Sequence, residues 1–194
     1  MKILWVTNVK IPIIYKLQEE SNNVNIGGWL DRISQGLIEM QKISLYVCYP
    51  YCKAERGSIQ NLSYYGIPYD GKKMRLGYLN DKAGVNEAKS ILTEIKPDVI
   101  HIHGTEFQYH WFFAQAAKEL GIESKLLVSI QGLVGVYAKH FDVSLPFYVK
   151  YAASLRELIG RKNIWAGIKN FERRGKYEEK TIKLTQHIMG RTSW

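Results

Sequence analysis

Apolar and polar positions along the chain follow two rhythms. Short continuous apolar runs alternate with stretches in which apolar residues recur every three to four positions. The first run, 2–8, reads as a strand ending in Asn8. An irregular stretch over 9–28, rich in Asn, Glu and Ser, separates it from a helix predicted over 29–40. There Leu30, Ile33, Leu37 and Met40 share one face. A second strand fits 44–49, and Pro50 stops it. Residues 51–81 are punctuated by Gly57, Gly66, Pro68, Gly71 and Gly77, leaving room for at most one further strand, near 62–66. A helix follows over 84–95, with Val85, Ala88, Leu92 and Ile95 on one face and Lys96-Pro97 ending it. Next come a strand at 98–103, a helix at 106–120 closed by Gly121, and a strand at 125–130. Gln131-Gly132 opens a long loop, two or three helices fall between 146 and 184, and 187–190 reads as a short strand.

This alternation predicts an α/β fold: a single Rossmann-like domain over residues 1–194, its mainly parallel sheet covered by helices on both faces. The strands are continuous apolar runs rather than alternating ones, as burial on both faces requires. Internal repeats and low-complexity segments are absent from the sequence.

Composition narrows the class. With 46% hydrophobic and 23% charged residues, the chain is globular rather than disordered. Its two cysteines, Cys48 and Cys52, exclude a disulfide scaffold and suggest a reduced, intracellular compartment. No apolar run approaches the ~20 residues of a membrane span, and the apolar start is too short for a signal-peptide core. The net charge is +9, from 27 Lys and Arg against 18 Asp and Glu. It is concentrated: residues 144–194 carry eleven basic against four acidic side chains. A basic region of this kind suits a phosphorylated ligand, an anionic membrane or nucleic acid.

Ligands of open parallel sheets bind beyond the carboxyl ends of the strands. Four polar or glycine clusters lie there: Asn8 with Gly27-Gly28, His103-Gly104-Thr105-Glu106, Ser129 with Gln131-Gly132, and Gly190-Arg191-Thr192. Gly27-Gly28 precedes a helix, where backbone N–H groups and the helix dipole favour a phosphate; an ordinary helix entry has the same pattern. Neither a dinucleotide fingerprint nor a P-loop is present. His101 and His103 alternate on one strand and so share a face. They read either as a metal pair with His110 nearby or, with few further ligands in reach, as one packed histidine and one at the sheet's mouth. The CxxxC spacing of Cys48 and Cys52 suits idle thiols better than a zinc site. From 147 to 184, aromatic residues interleave with Lys and Arg. That pattern suits a membrane interface or RNA, and equally helices with a packed aromatic face and a solvated basic one.

The order of these pieces resembles a known family. KILWVTN, the Gly-Gly loop, KPDVIHIHG at 96–104, SIQG at 129–132 and HIMGRT at 187–192 are similar to the N-terminal half of a family 4 (group 1) glycosyltransferase of GT-B fold. The likeness spans the whole chain. It implies a retaining enzyme that moves a sugar from a nucleotide-sugar donor to a glycan or lipid-linked acceptor in bacterial surface polysaccharide biosynthesis. It implies no metal and no cofactor beyond the donor substrate. Gly27 and Gly28 would lie near the donor diphosphate, and Asn8, His103, Thr105, Glu106, Gln131 and Arg191 would line the acceptor side. Many relatives carry a histidine where this chain has Gln131. An amide can position a hydroxyl but cannot take its proton, so no catalytic residue is assigned. The family's E-x7-E pair of the donor half is missing, which implies that the donor-binding domain is absent and that the chain alone is inactive. The expected location is cytoplasmic, peripheral at the inner face of the membrane. The expected partners are donor, acceptor and an anionic membrane surface met through 147–184, with no nucleic acid. The alternative is a stand-alone, non-enzymatic α/β module that binds an anionic ligand or partner.

Overall fold

The structure, a computed structural model, describes residues 1–18, 28–146, 150, 154 and 163–190. Seven strands form one sheet in the order β3-β4-β2-β1-β5-β6-β7. They are β1 (Lys2–Val6), β2 (Ser44–Tyr51), β3 (Glu55–Ile59), β4 (Leu62–Pro68), β5 (Val99–His103), β6 (Leu126–Ser129) and β7 (His187–Met189). All neighbours pair in parallel except β3 with β4, an antiparallel hairpin at the edge. The described helices are α1 (Pro12–Leu17), α2 (Gly28–Glu39), α3 (Gly71–Leu76), α4 (Asp81–Ile95), α5 (Gln108–Glu119), α6 (Val134–His140) and α7 (Ile164–Leu184), with a 3-10 turn at Glu123–Lys125. The fold is α/β and Rossmann-like, as the alternation predicts.

Strand parity sorts side chains onto two faces. Leu4 and Val6 of β1, Ile100 and Ile102 of β5, and Leu126 and Val128 of β6 point to one face, where α4 and α5 bury Ala88, Leu92, Ile95, Phe112 and Phe113 against them. Gly84 permits this packing, since a Cβ there would stand 2.1 Å from the Phe112 ring. On the opposite face Trp5, Leu45, Val47, Tyr49 and Leu62 pack under Ile11 and Ile14 near and in α1 and Leu30 of α2. Among the described residues that second layer covers only β1, β2 and β4. A right-handed crossover moving one way along a parallel sheet lies on one face, and one moving the other way lies on the opposite face. The leftward step from β1 to β2 therefore carries α2 on one side, and the rightward steps to β5, β6 and β7 carry α4, α5 and α7 on the other.

Several expectations are corrected. The stretch 9–28 contains α1, which Pro12 starts from its first turn. Pro50 lies within β2, because β1 stops pairing at Val6↔Cys48 and leaves Pro50 with β4 as its only neighbour. Residues 51–81 hold two strands and a helix, not one strand. Asp70 caps that helix through Lys72 and Lys73, and Gly77 closes it at φ 67°. The loop after Gly132 is short, with α6 beginning two residues on. Ile33 is half exposed although it lies on the periodic face of α2, and Met40, also half exposed, falls just beyond the helix end at Glu39. The described part of 146–184 is dominated by one helix, α7. It packs on α5 and α6 rather than on the sheet. At its crossing with α6 the backbones touch, since a Cβ on Gly175 would lie 2.6 Å from the Gly135 Cα.

Candidate functional site

The sheet order reverses between β1 and β5, the switch point where ligands of such folds bind. The end of β1 is tied across this point, because the Tyr109 hydroxyl of α5 donates to the Thr7 carbonyl. Beside it, on the face that α2 covers only in part, runs a groove of about 610 Å³. Its floor is made by alternate residues of β1, β5 and β6: Trp5, Val99, His101, His103 and Ser129. Trp29 and Ile33 of α2 form one wall, and Gln131, Met189 and Gly190 stand at the carboxyl ends of the strands.

His101 and His103 share a face, their rings 3.8 Å apart between centroids. His101 Nε2 lies 2.6 Å from the Ser129 hydroxyl. His103 is almost fully buried, with Trp5 edge-on at 4.7 Å and Trp29 at 5.5 Å. Among the described residues neither of its ring nitrogens has a partner, nor has Gln131 Nε2. Burial lowers the His101 pKa to about 4. Burial and the neighbouring imidazoles lower that of His103 to about 2. Both rings are therefore neutral near pH 7, each offering one N–H and one lone pair.

Behind the groove, Gly104 at φ 98° turns the chain so that the Glu106 carboxylate folds back beneath it. Burial raises the Glu106 pKa despite nearby Arg174, and its Oε2 has no partner. Arg174 instead donates to the Glu106 carbonyl at 2.5 Å and stacks over Phe107. The Thr105 hydroxyl donates to Glu178 of α7, which also accepts from Val134 and Gly135 N–H at 3.0 Å and so holds the start of α6. His110 is fully buried at the start of α5, and burial lowers its pKa to about 3.

The sequence-derived candidates thus separate. His103 and Gln131 meet in the groove. Thr105 and Glu106 face α7 behind it. Asn8 lines a different cavity, of about 340 Å³, with Lys10, Tyr15, Tyr51 and Tyr69 at the ends of β1, β2 and β4. Gly28 begins α2 with open space around its Cα. Gly27 and Arg191 lie outside the described residues, as does most of 147–162. No protein-family model matches the chain, and no curated protein matches it. Among the described residues no three His, Cys, Asp or Glu side chains are grouped to hold a metal ion. No described helix is long and apolar enough to cross a membrane.

Sequence reasoning missed Trp29, Lys10 and Glu178. Trp29 carried a weak signal as an aromatic residue directly after the Gly-Gly step. Glu178 carried none, because its partners, the Thr105 hydroxyl and two backbone N–H groups, lie more than forty residues away.

Proposed function

We propose that this domain is the acceptor-binding half of a retaining glycosyltransferase. It would present a glycan or lipid-linked hydroxyl to the anomeric carbon of a nucleotide-sugar, on the cytoplasmic side, in building a bacterial surface polysaccharide. The observation that carries this reading is the groove at the switch point, where Trp5 and Trp29 surround the unpartnered nitrogens of His103 next to the unpartnered amide of Gln131. A sugar offers apolar C–H faces to indole rings and hydroxyls to such groups, and a mostly apolar cleft with a few convergent polar atoms is how small ligands are held.

In this reading His103 and Gln131 position the substrate. A buried imidazole with a pKa near 2 does not hold a proton at neutral pH, and an amide cannot transfer one. Their contribution is orientation, which brings the acceptor hydroxyl to its target. The start of α2 at Gly28, with space around its Cα, supports the donor side, because the helix dipole there suits a diphosphate.

Titration of the chain with oligosaccharides, followed by tryptophan fluorescence and NMR, tests the reading. Binding should perturb Trp5 and Trp29. His103→Phe should weaken binding by about tenfold or more while leaving stability within about 1 kcal/mol, since no hydrogen bond is lost. Response to phosphate or nucleotides with none to sugars would favour the stand-alone anion-binding module. Sugar binding untouched by His103→Phe would remove the groove from the account.

A further inference from the structure

We propose that Glu178 is a positioning residue for the groove, a buried carboxylate that fixes where His103 and Gln131 stand relative to one another. Glu178 lies on α7, does not line the groove, and is only 5% exposed. Its carboxylate takes three donors. The Thr105 hydroxyl reaches one oxygen at 3.1 Å, and the Val134 N–H reaches the same oxygen at 3.0 Å. The Gly135 N–H reaches the other oxygen at 3.0 Å. Thr105 stands two residues after His103, and Val134 stands three residues after Gln131. One side chain therefore joins the loops beyond β5 and β6, which carry the unpartnered polar groups of the groove.

Holding α6 alone does not call for this arrangement. A helix start is ordinarily capped by a Ser, Thr, Asp or Asn side chain just ahead of it. Leu133, in that place, makes no such bond. The cap comes instead from a different helix and is shared with Thr105, which is fully buried. A local cap would order the helix start, whereas a cap shared by two loops also sets the distance between them. Sheet-edge hydrogen bonds fix these loops only as far as Gly104, whose N–H donates to the Ser129 carbonyl, and Ile130, whose N–H donates to the Met189 carbonyl. Beyond those points the carboxylate takes over. The packing admits it because α6 and α7 cross at two glycines. A Cβ on Gly135 would stand 3.2 Å from Glu178 Oε1, and one on Gly175 would stand 2.6 Å from the Gly135 Cα. A buried carboxylate is costly unless it is well hydrogen-bonded, and the three donors meet that requirement.

This role rests on the groove being the binding site, and NMR of the unliganded chain separates the two. Glu178→Gln keeps the shape but turns an amide NH2 toward a backbone N–H. It should move both the Gln131 side-chain amide and the His103 ring resonances. Gly175→Ala keeps the carboxylate but pushes α6 from α7, and should move the Gln131 resonances as well. Thr105→Val should displace the His103 signals and Thr105→Ser should restore them, a pair that decides the matter even if Glu178→Gln does not fold. Leu62→Ala, a truncation in the core of the other half, should lower the thermal midpoint and leave both sets of resonances in place. Oligosaccharide affinity should fall about tenfold or more in Glu178→Gln, since misplacing an orienting group by about 1 Å can cost about a hundredfold. Absence of sugar binding by the unaltered chain would remove the acceptor reading, while the unliganded resonances would still decide the role of Glu178. If Glu178→Gln lowered the thermal midpoint without moving His103 and Gln131, or if Leu62→Ala moved them equally, the carboxylate would serve only to hold the fold together and the proposal would be overturned. Sugar affinity unchanged by Glu178→Gln would overturn it too.

Discussion

The two halves of the sheet are built from similar strands but finished differently. Around β2 and β4, helices cover both faces and the most deeply buried charged side chain is paired, although Tyr69 Oη and Asp31 Oδ1 have no partner among the described residues. Lys10 sits fully buried among Tyr15, Tyr51 and Gln18 and lies 3.2 Å from Glu55, which in turn accepts from Tyr49. Around β5, β6 and β7 one face carries α4, α5 and α7 while the other is an open groove with unpartnered imidazole and amide nitrogens. The difference lies in connectivity, not composition. The handedness of the crossovers puts α2 over one half of one face, and among the described residues no helix lies over the other half of that face. A buried polar group left unpaired costs free energy.

The largest test of this contrast is acid. His101, His103 and His110 all have pKa values below the usual 6.5, so the unfolded chain binds protons that the folded chain refuses. Stability is level above pH 6.5 and falls below it, through the window down to about 4, the value of His101, with the other two titrating lower still. Each imidazole adds up to about 1.4 kcal/mol per pH unit within its window. The raised pKa of Glu106 opposes this at the acid end. Urea midpoints measured across this range should drop steeply, and the drop should shrink in His103→Phe. A flat profile would mean that the open half is not dry.

The closed half should be damaged most by losing a charge. Lys10→Met leaves the Glu55 carboxylate, only 11% exposed, without its ammonium partner, a loss of about 3 kcal/mol. Recovery of most of that loss on adding Glu55→Gln, read from denaturation, would confirm that the pair acts as one unit. The smallest effect sharpens the boundary between the halves along a single helix. Leu30 of α2 faces the closed half and is fully buried, whereas Ile33, three residues on, borders the groove and is 51% exposed. Leu30→Ala should cost about 3 kcal/mol and Ile33→Ala under about 0.5 kcal/mol. Equal costs would mean that the groove is filled.

The sequence carried the parallel core plainly. β1, β5, β6 and α4 show where an apolar run or a 3.6-residue period has little to compete with it. It carried less where an element's pattern depends on its neighbours. The hairpin strand β3, Glu55-Arg56-Gly57-Ser58-Ile59, is an edge strand with polar residues and a glycine that lies flat against Tyr64, so it lacks an apolar signature. Periodicity placed Leu30 and Ile33 on one face but could not tell a core from an open groove. His103 and Gln131 were visible because strand ends collect ligands. Trp29 and Arg174 join the site only through the path of the chain in space.

The parity of β5 has an evolutionary consequence. Its five residues carry two messages in alternation, isoleucines for the core and histidines for the groove. Inserting or deleting one residue within the strand would exchange the two sets, sending imidazoles under Phe112 and aliphatic chains into the cleft. Substitutions can retune either face separately, but the length of this strand is fixed by both at once. Variation in the lining of the groove should therefore accumulate as replacements at alternate positions and in the loops beyond, never as changes in the count of residues between Val99 and His103.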